Sequence, residues 1–211
     1  MKKKIQLFIM IVSIFLIHQN IAIGGSDETV AVIMKKLRCS EKQAKKFMRD
    51  VLNTMAVIEN SISVIASNYT PRAKRFSIAN ETIQQYFESR SSKVYRSSVF
   101  SNSPTPVYEY FNLLSTSYNG KYEIEIKFTE SWLSFGNIQQ LYNSKYGKYY
   151  DFSIDAWRFN TFDDKVLDNT ALIKTQFNFY NNLNSDSWEL KVKALVVKET
   201  ISKKSLEEIW K

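Results

Sequence analysis

Hydrophobic and polar positions follow two regimes along this chain, a helical period in the first half and alternation in the second. Over residues 121–130, Tyr122, Ile124, Ile126 and Phe128 fall on one side, and Lys121, Glu123, Glu125 and Lys127 on the other. A strand with one buried face requires that period of two. Residues 149–162, 171–180 and 188–200 follow, rich in aromatic and β-branched side chains and separated by Asn- and Asp-rich turns. Short connections between consecutive strands predict an antiparallel meander. Between the first two strands, Trp132, Phe135, Ile138 and Leu141 recur in no clean period, so residues 131–148 yield no element.

Upstream the period changes to that of a helix. Ser26 caps a short helix reaching about Leu37, with Asp27 and Glu28 in the first turn, where the helix dipole favours anions. Ser40 and Gln43 have the spacing of a capping box for a second helix. Ala44, Phe47, Met48, Val51, Leu52 and Met55 then recur at three- and four-residue steps, and the stripe continues through Ile58 and Ile62 to Tyr69. Pro71 closes this helix. A third amphipathic helix is predicted over 77–89, a short strand over 92–100, and a further helix from Thr105 or Pro106. Asn119-Gly120, a strong turn dipeptide, leads into the long strands.

With 44% hydrophobic and 14% aromatic residues among 211, the chain can bury a real core. Its first 24 residues read as a cleaved secretory signal: Lys2, Lys3 and Lys4, an apolar run over 5–17, then small residues near Gly24. That run of about 13 residues is short beside the roughly 20 that a spanning helix needs. A periplasmic or secreted location follows as the expectation. The remainder divides into a basic helical hairpin over 25–68 and an α+β domain over 69–211.

Charge is concentrated in one place. Residues 35–75 hold ten Lys and Arg against three Asp and Glu, and the sequence beyond Arg75 is balanced. Lys42, Lys45, Lys46 and Arg49 share the face opposite the apolar stripe and offer a basic surface to an acidic partner or anionic lipid. The hairpin looks like the opening helices of histone-like bacterial DNA-binding proteins, but no matching β-arm follows, and no nucleic-acid role is assigned. Cys39 is the single cysteine, so no internal disulfide is possible, and a buried or half-buried thiol is expected. His18, the single histidine, lies in the leader. Beyond it, imidazole-based acid–base catalysis, Ser-His and Cys-His nucleophiles and most zinc sites are excluded.

The order helix, helix, short strand, helix, long antiparallel strands resembles the nuclear transport factor 2-like superfamily, which includes polyketide-cyclase-like and ketosteroid-isomerase-like proteins. Two local echoes carry the likeness: Ile83-Gln84-Gln85-Tyr86-Phe87 before the short strand, and Val107-Tyr108-Glu109-Tyr110-Phe111 before the sheet. The resemblance implies helices packed on a curved, cone-like antiparallel sheet with a pocket between them. Tyr86 and Tyr110 from the helices, and Asp155, Trp157 and Arg158 from the sheet, are the candidate ligand-binding residues.

Along residues 150–158, Asp151, Ser153, Asp155 and Trp157 share one face of the strand. Facing an apolar cavity, Asp155 would have a raised pKa and could serve as a proton-abstracting base. Facing solvent, it would pair with a cross-strand Lys. Asp163, Asp164 and Asp168 lack the spacing and glycine turn of a calcium loop, so no metal and no cofactor are assigned. Tyr149 and its aromatic neighbours fit a ligand wall, a sugar platform or plain core equally well. The function read from the sequence is thus an exported, non-catalytic module binding a small ligand or an envelope protein. The alternatives are an isomerase- or cyclase-type enzyme using Asp155, or a surface-interaction protein using its basic hairpin.

Overall fold

The computed structural model describes residues 27–96, 104–117, 122–127, 135–143, 147–162, 165–181 and 188–201. Four helices and one mixed, open β-sheet make up these residues. The helices are α1 (Asp27–Leu37), α2 (Glu41–Ala66), α3 (Arg72–Tyr86) and α4 (Val107–Ser117). The strands are β1 (Lys93–Arg96), β2 (Thr105–Pro106), β3 (Tyr122–Lys127), β4 (Gln139–Asn143), β5 (Gly147–Phe162), β6 (Lys165–Asn181) and β7 (Trp188–Ile201). The expected leader and the C-terminal stretch 202–211 lie outside the described residues.

Helix α2 is the axis of the core, and its sequence explains why. The Ser40 hydroxyl accepts from the Gln43 N–H while the Gln43 side chain accepts from the Ser40 N–H, which completes the capping box and fixes the helix start. Every stripe position from Ala44 to Ala66 is buried. Tyr69, read as the end of that stripe, lies past the helix, which stops at Ser67, and is 74% exposed. Residues of α1, α2, α3, α4 and the sheet share a single hydrophobic core.

Turn chemistry decides the helix ends. Arg38, just past α1, adopts a left-handed backbone (φ 52°), and the next N–H, that of Cys39, donates to the Met34 carbonyl at 3.3 Å. Glycine takes that conformation freely, whereas a residue with a Cβ is strained there by about 1–2 kcal/mol. Arg38→Gly is therefore expected to stabilise the protein by about 1 kcal/mol, raising the unfolding midpoint by roughly 2–4 °C. An unchanged or lowered midpoint in thermal denaturation would show that the Arg38 side chain does more than sit in solvent.

Several boundaries differ from the sequence expectation, among them the start of the strand expected at 171, which begins at Lys165. Helix α3 begins at Arg72 rather than Ser77: Pro71, with φ −53°, starts the helix, and its carbonyl accepts from the Arg75 N–H at 3.1 Å. The basic run 72–75 is made of good helix formers, not turn residues. Thr105 and Pro106 do not open α4 but form the two-residue β2, on an edge where a proline's missing N–H costs little. Residues 131–148, left without an element, supply a short 3-10 turn (Phe135–Asn137) and β4.

The sheet order is β2-β1-β7-β6-β5-β3, with β4 also on β5. The antiparallel meander holds for β5, β6 and β7. A wholly antiparallel sheet does not, because β1 pairs parallel with β7, Lys93 opposite Ala194 and Arg96 opposite Val197. Both β3 and β4 pair antiparallel with β5, β3 against its C-terminal half and β4 against its N-terminal end. Along β5, Phe152, Ile154, Ala156 and Arg158 turn toward the helices, and Asp151, Ser153, Asp155 and Trp157 toward the opposite face. Phe47 of α2 meets Phe152 and Phe179 of that inner face and Phe135 of the turn, with ring centroids 4.8–5.9 Å apart.

Candidate functional site

One charged pair is enclosed where α2 crosses the sheet. Glu59 belongs to α2 and Arg158 to the inner face of β5, and they are 2% and 4% exposed. Arg158 Nη2 donates to Glu59 Oε1 at 2.7 Å, and Nε lies 2.7 Å from Oε2 as an ion-pair contact without hydrogen-bond geometry. One turn further along α2, the Ser63 hydroxyl accepts from the Ile124 N–H of β3 at 3.0 Å. Glu59 was missed in the sequence, although the signal was there. It lies four residues after Met55 and three before Ile62, so a carboxylate interrupts an apolar face and needs a cation brought from elsewhere.

The five ligand-binding candidates are not brought into one place. Alternation along β5 separates Arg158 from Asp155 and Trp157, which are on the opposite face. Asp155 stands across from Lys174 of β6 in register, with Lys174 Nζ 3.7 Å from its carboxylate. This is the cross-strand pairing that a solvent-side strand surface calls for. Trp157 is buried. Tyr110 is a buried core ring packed beside Phe111 at 5.9 Å. Tyr86, at the end of α3, is half-buried, and that burial raises its phenol pKa above the ordinary value.

The outer face of the sheet is laced by polar contacts. Tyr180 donates to Glu88 at 2.6 Å, and Asn178 donates to the same carboxylate oxygen. Asn137 donates to the Ser153 hydroxyl at 2.9 Å, and the rings of Tyr149 and Tyr180 stack with centroids 5.7 Å apart. Lys193 donates to Asp151 at 3.0 Å, and this hydrogen bond, more than the charge itself, raises the lysine pKa. A raised lysine pKa adds stability that is present below its ordinary value and fades as pH climbs past it.

The four basic candidates on α2 divide in two. Lys45 pairs with Glu41, and hydrogen bond first and charge second hold the carboxyl below, and the ammonium above, their ordinary values. Lys46 sits 2.8 Å from Asp50 and 4.0 Å over the Trp188 ring, while Trp188 Nε1 donates to Asp50 at 2.9 Å. It thus fastens α2 to the start of β7 rather than standing free in solvent. Lys42 and Arg49 are exposed. Cys39 is half-buried, and desolvation raises its thiol pKa, which disfavours the thiolate. Among the described residues, no three His, Cys, Asp or Glu side chains cluster as metal ligands. No helix among them is long and apolar enough to cross a membrane.

In comparison with known proteins, the chain matches no family model, no curated protein and no solved structure.

Proposed function

We propose that the chain is an exported binding module of the nuclear transport factor 2-like type, which holds a small polar ligand between its helices and a curved, cone-like sheet and performs no chemistry on it. The element order supports this reading, with two helices, α3 and a short strand, then α4 and long strands. The observation that carries it is the Glu59–Arg158 pair. Well-packed apolar residues at two such positions are commonly as stable as a buried ion pair or more so, hence stability alone is a weak reason to keep one. A paired anion and cation inside an otherwise apolar interface give a polar ligand groups to exchange with. Asp155, by contrast, lies on the opposite face of the sheet with Lys174 Nζ 3.7 Å from its carboxylate, a cross-strand ion pair that disfavours its use as the base of an isomerase or cyclase.

Native mass spectrometry of the protein recovered from an exported fraction tests the reading. Wild-type protein is expected to carry a small-molecule adduct that is lost on acid denaturation. The double variant Glu59→Leu/Arg158→Met, folded but without the charges, is expected to lose that adduct. Bare wild-type protein, or equal occupancy in the double variant, overturns the reading.

A further inference from the structure

We propose that the protruding first turn of α3, with the Tyr69 loop that leads into it, docks this protein on an anionic phospholipid bilayer. Tyr69 is 74% exposed. Pro71, Arg72, Ala73 and Lys74 follow, and all four are exposed. At about 3.6 residues per turn, four consecutive exposed residues leave no side of that turn packed on the body. Packing resumes at Arg75 and Phe76, which are half-buried. The whole tip belongs to the continuously described stretch 27–96.

Its charge is of one sign. Arg72, Lys74 and Arg75 enter the first turn of α3 without an acidic residue, and Pro71 supplies no side-chain cap. The positive end of the helix dipole therefore adds to these cations, an arrangement that costs stability until an anion meets it. Arg75 is engaged within the fold, since its Nη1 donates to the Ser115 carbonyl near the end of α4. Arg72 lies over the Phe76 ring, 5.5 Å from its centroid. Among the described residues, neither Arg72 nor Lys74 forms an ion pair with a carboxylate. At the other end of α2 the same need is met internally, Lys45 by Glu41 and Lys46 by Asp50.

The exposed ring selects the partner. Free phosphate would satisfy the two cations and give Tyr69 no role. At a bilayer surface the ring sits at headgroup level while its hydroxyl stays wet. The aliphatic stems of Arg72 and Lys74 suit the same boundary, with their charged ends among lipid phosphates. This contact is independent of any ligand held by Glu59 and Arg158, which are enclosed in the core.

Co-sedimentation with vesicles tests the assignment. The chain from Gly25 onward, which keeps every described residue, is expected to bind vesicles of equal phosphatidylglycerol and phosphatidylcholine, and not phosphatidylcholine alone. Each cation near such a surface is worth about fivefold in partitioning, so Arg72→Gln/Lys74→Gln should weaken binding by roughly 25-fold. The unfolding midpoint of that variant should not fall, because the lost charges oppose the helix dipole. Lys35→Gln/Lys36→Gln removes the same charge from exposed positions on α1, beside the start of α2, and should keep most of the binding. Tyr69→Ser should weaken binding with no change of charge. Inorganic phosphate at matched ionic strength should not displace the protein. Five outcomes overturn the proposal: no binding to the anionic vesicles, equal binding to phosphatidylcholine, equal losses in the two double variants, wild-type binding by Tyr69→Ser, or displacement by inorganic phosphate.

Discussion

Replacing Glu59 by Leu while Arg158 stays in place is expected to destabilise the protein by about 3–5 kcal/mol, because an uncompensated cation is left inside the core. At about 2–4 °C per kcal/mol for a domain of this size, the unfolding midpoint falls by roughly 6–20 °C. Arg158→Met alone should cost a similar amount, by stranding the carboxylate. The informative variant is the double one. With both charges gone, Leu and Met occupy similar volume without desolvation, and stability should return to near the wild-type value or above it. Urea unfolding of the four proteins closes a double-mutant cycle, and a large coupling energy is expected. If the double variant is as unstable as the sum of the singles, the two side chains do not act as a pair.

Phe47→Ala carries the second large effect. The ring is 1% exposed and packs on three others, Phe135, Phe152 and Phe179, at 5.9, 5.3 and 4.8 Å between centroids. Truncation removes the transfer energy of the ring and leaves a cavity walled by rings from the turn, β5 and β6. Those walls belong to different elements and cannot collapse together, so a loss near the upper end of about 3–5 kcal/mol is expected. Phe47→Leu, which keeps most of the volume, should recover more than half of it. Equilibrium denaturation measures both, and a loss below about 1 kcal/mol for the alanine variant would mean that α2 is not seated on the sheet through this residue.

Local pattern made α2 readable. Its stripe repeats through 26 residues and starts at a capping box, so periodicity and turn chemistry agree. The long strands were readable for the same reason, since residues 152, 154 and 156 alternate with 151, 153 and 155 in both chemistry and burial. Pairing between distant segments leaves no such trace. Lys93 lies opposite Ala194 across about a hundred residues of sequence, and nothing in either stretch names the other. Arg158 was singled out for its place beside Asp155, yet its partner comes from a helix. Alternation placed it on the inner face, but only the register of α2 across β5 brings Glu59 to it. The basic face on α2 was visible as composition, whereas the engagement of Lys46 by Asp50 and Trp188 depends on where β7 begins.

The position of β7 also bears on how the chain reaches this state. It is the last described strand in sequence but not an edge of the sheet, for it sits between β1 and β6. A nascent chain leaving the ribosome N-terminus first therefore has β1 and β6 exposed, with a gap between them, until residues 188–201 emerge. Even Phe87 and Glu88 must wait, since both meet Val192. Contacts of such long sequence separation are closed late and slowly. Residues 188–201 must emerge before the sheet can become continuous, and for that interval the partly assembled sheet is loose enough to be held, threaded or degraded.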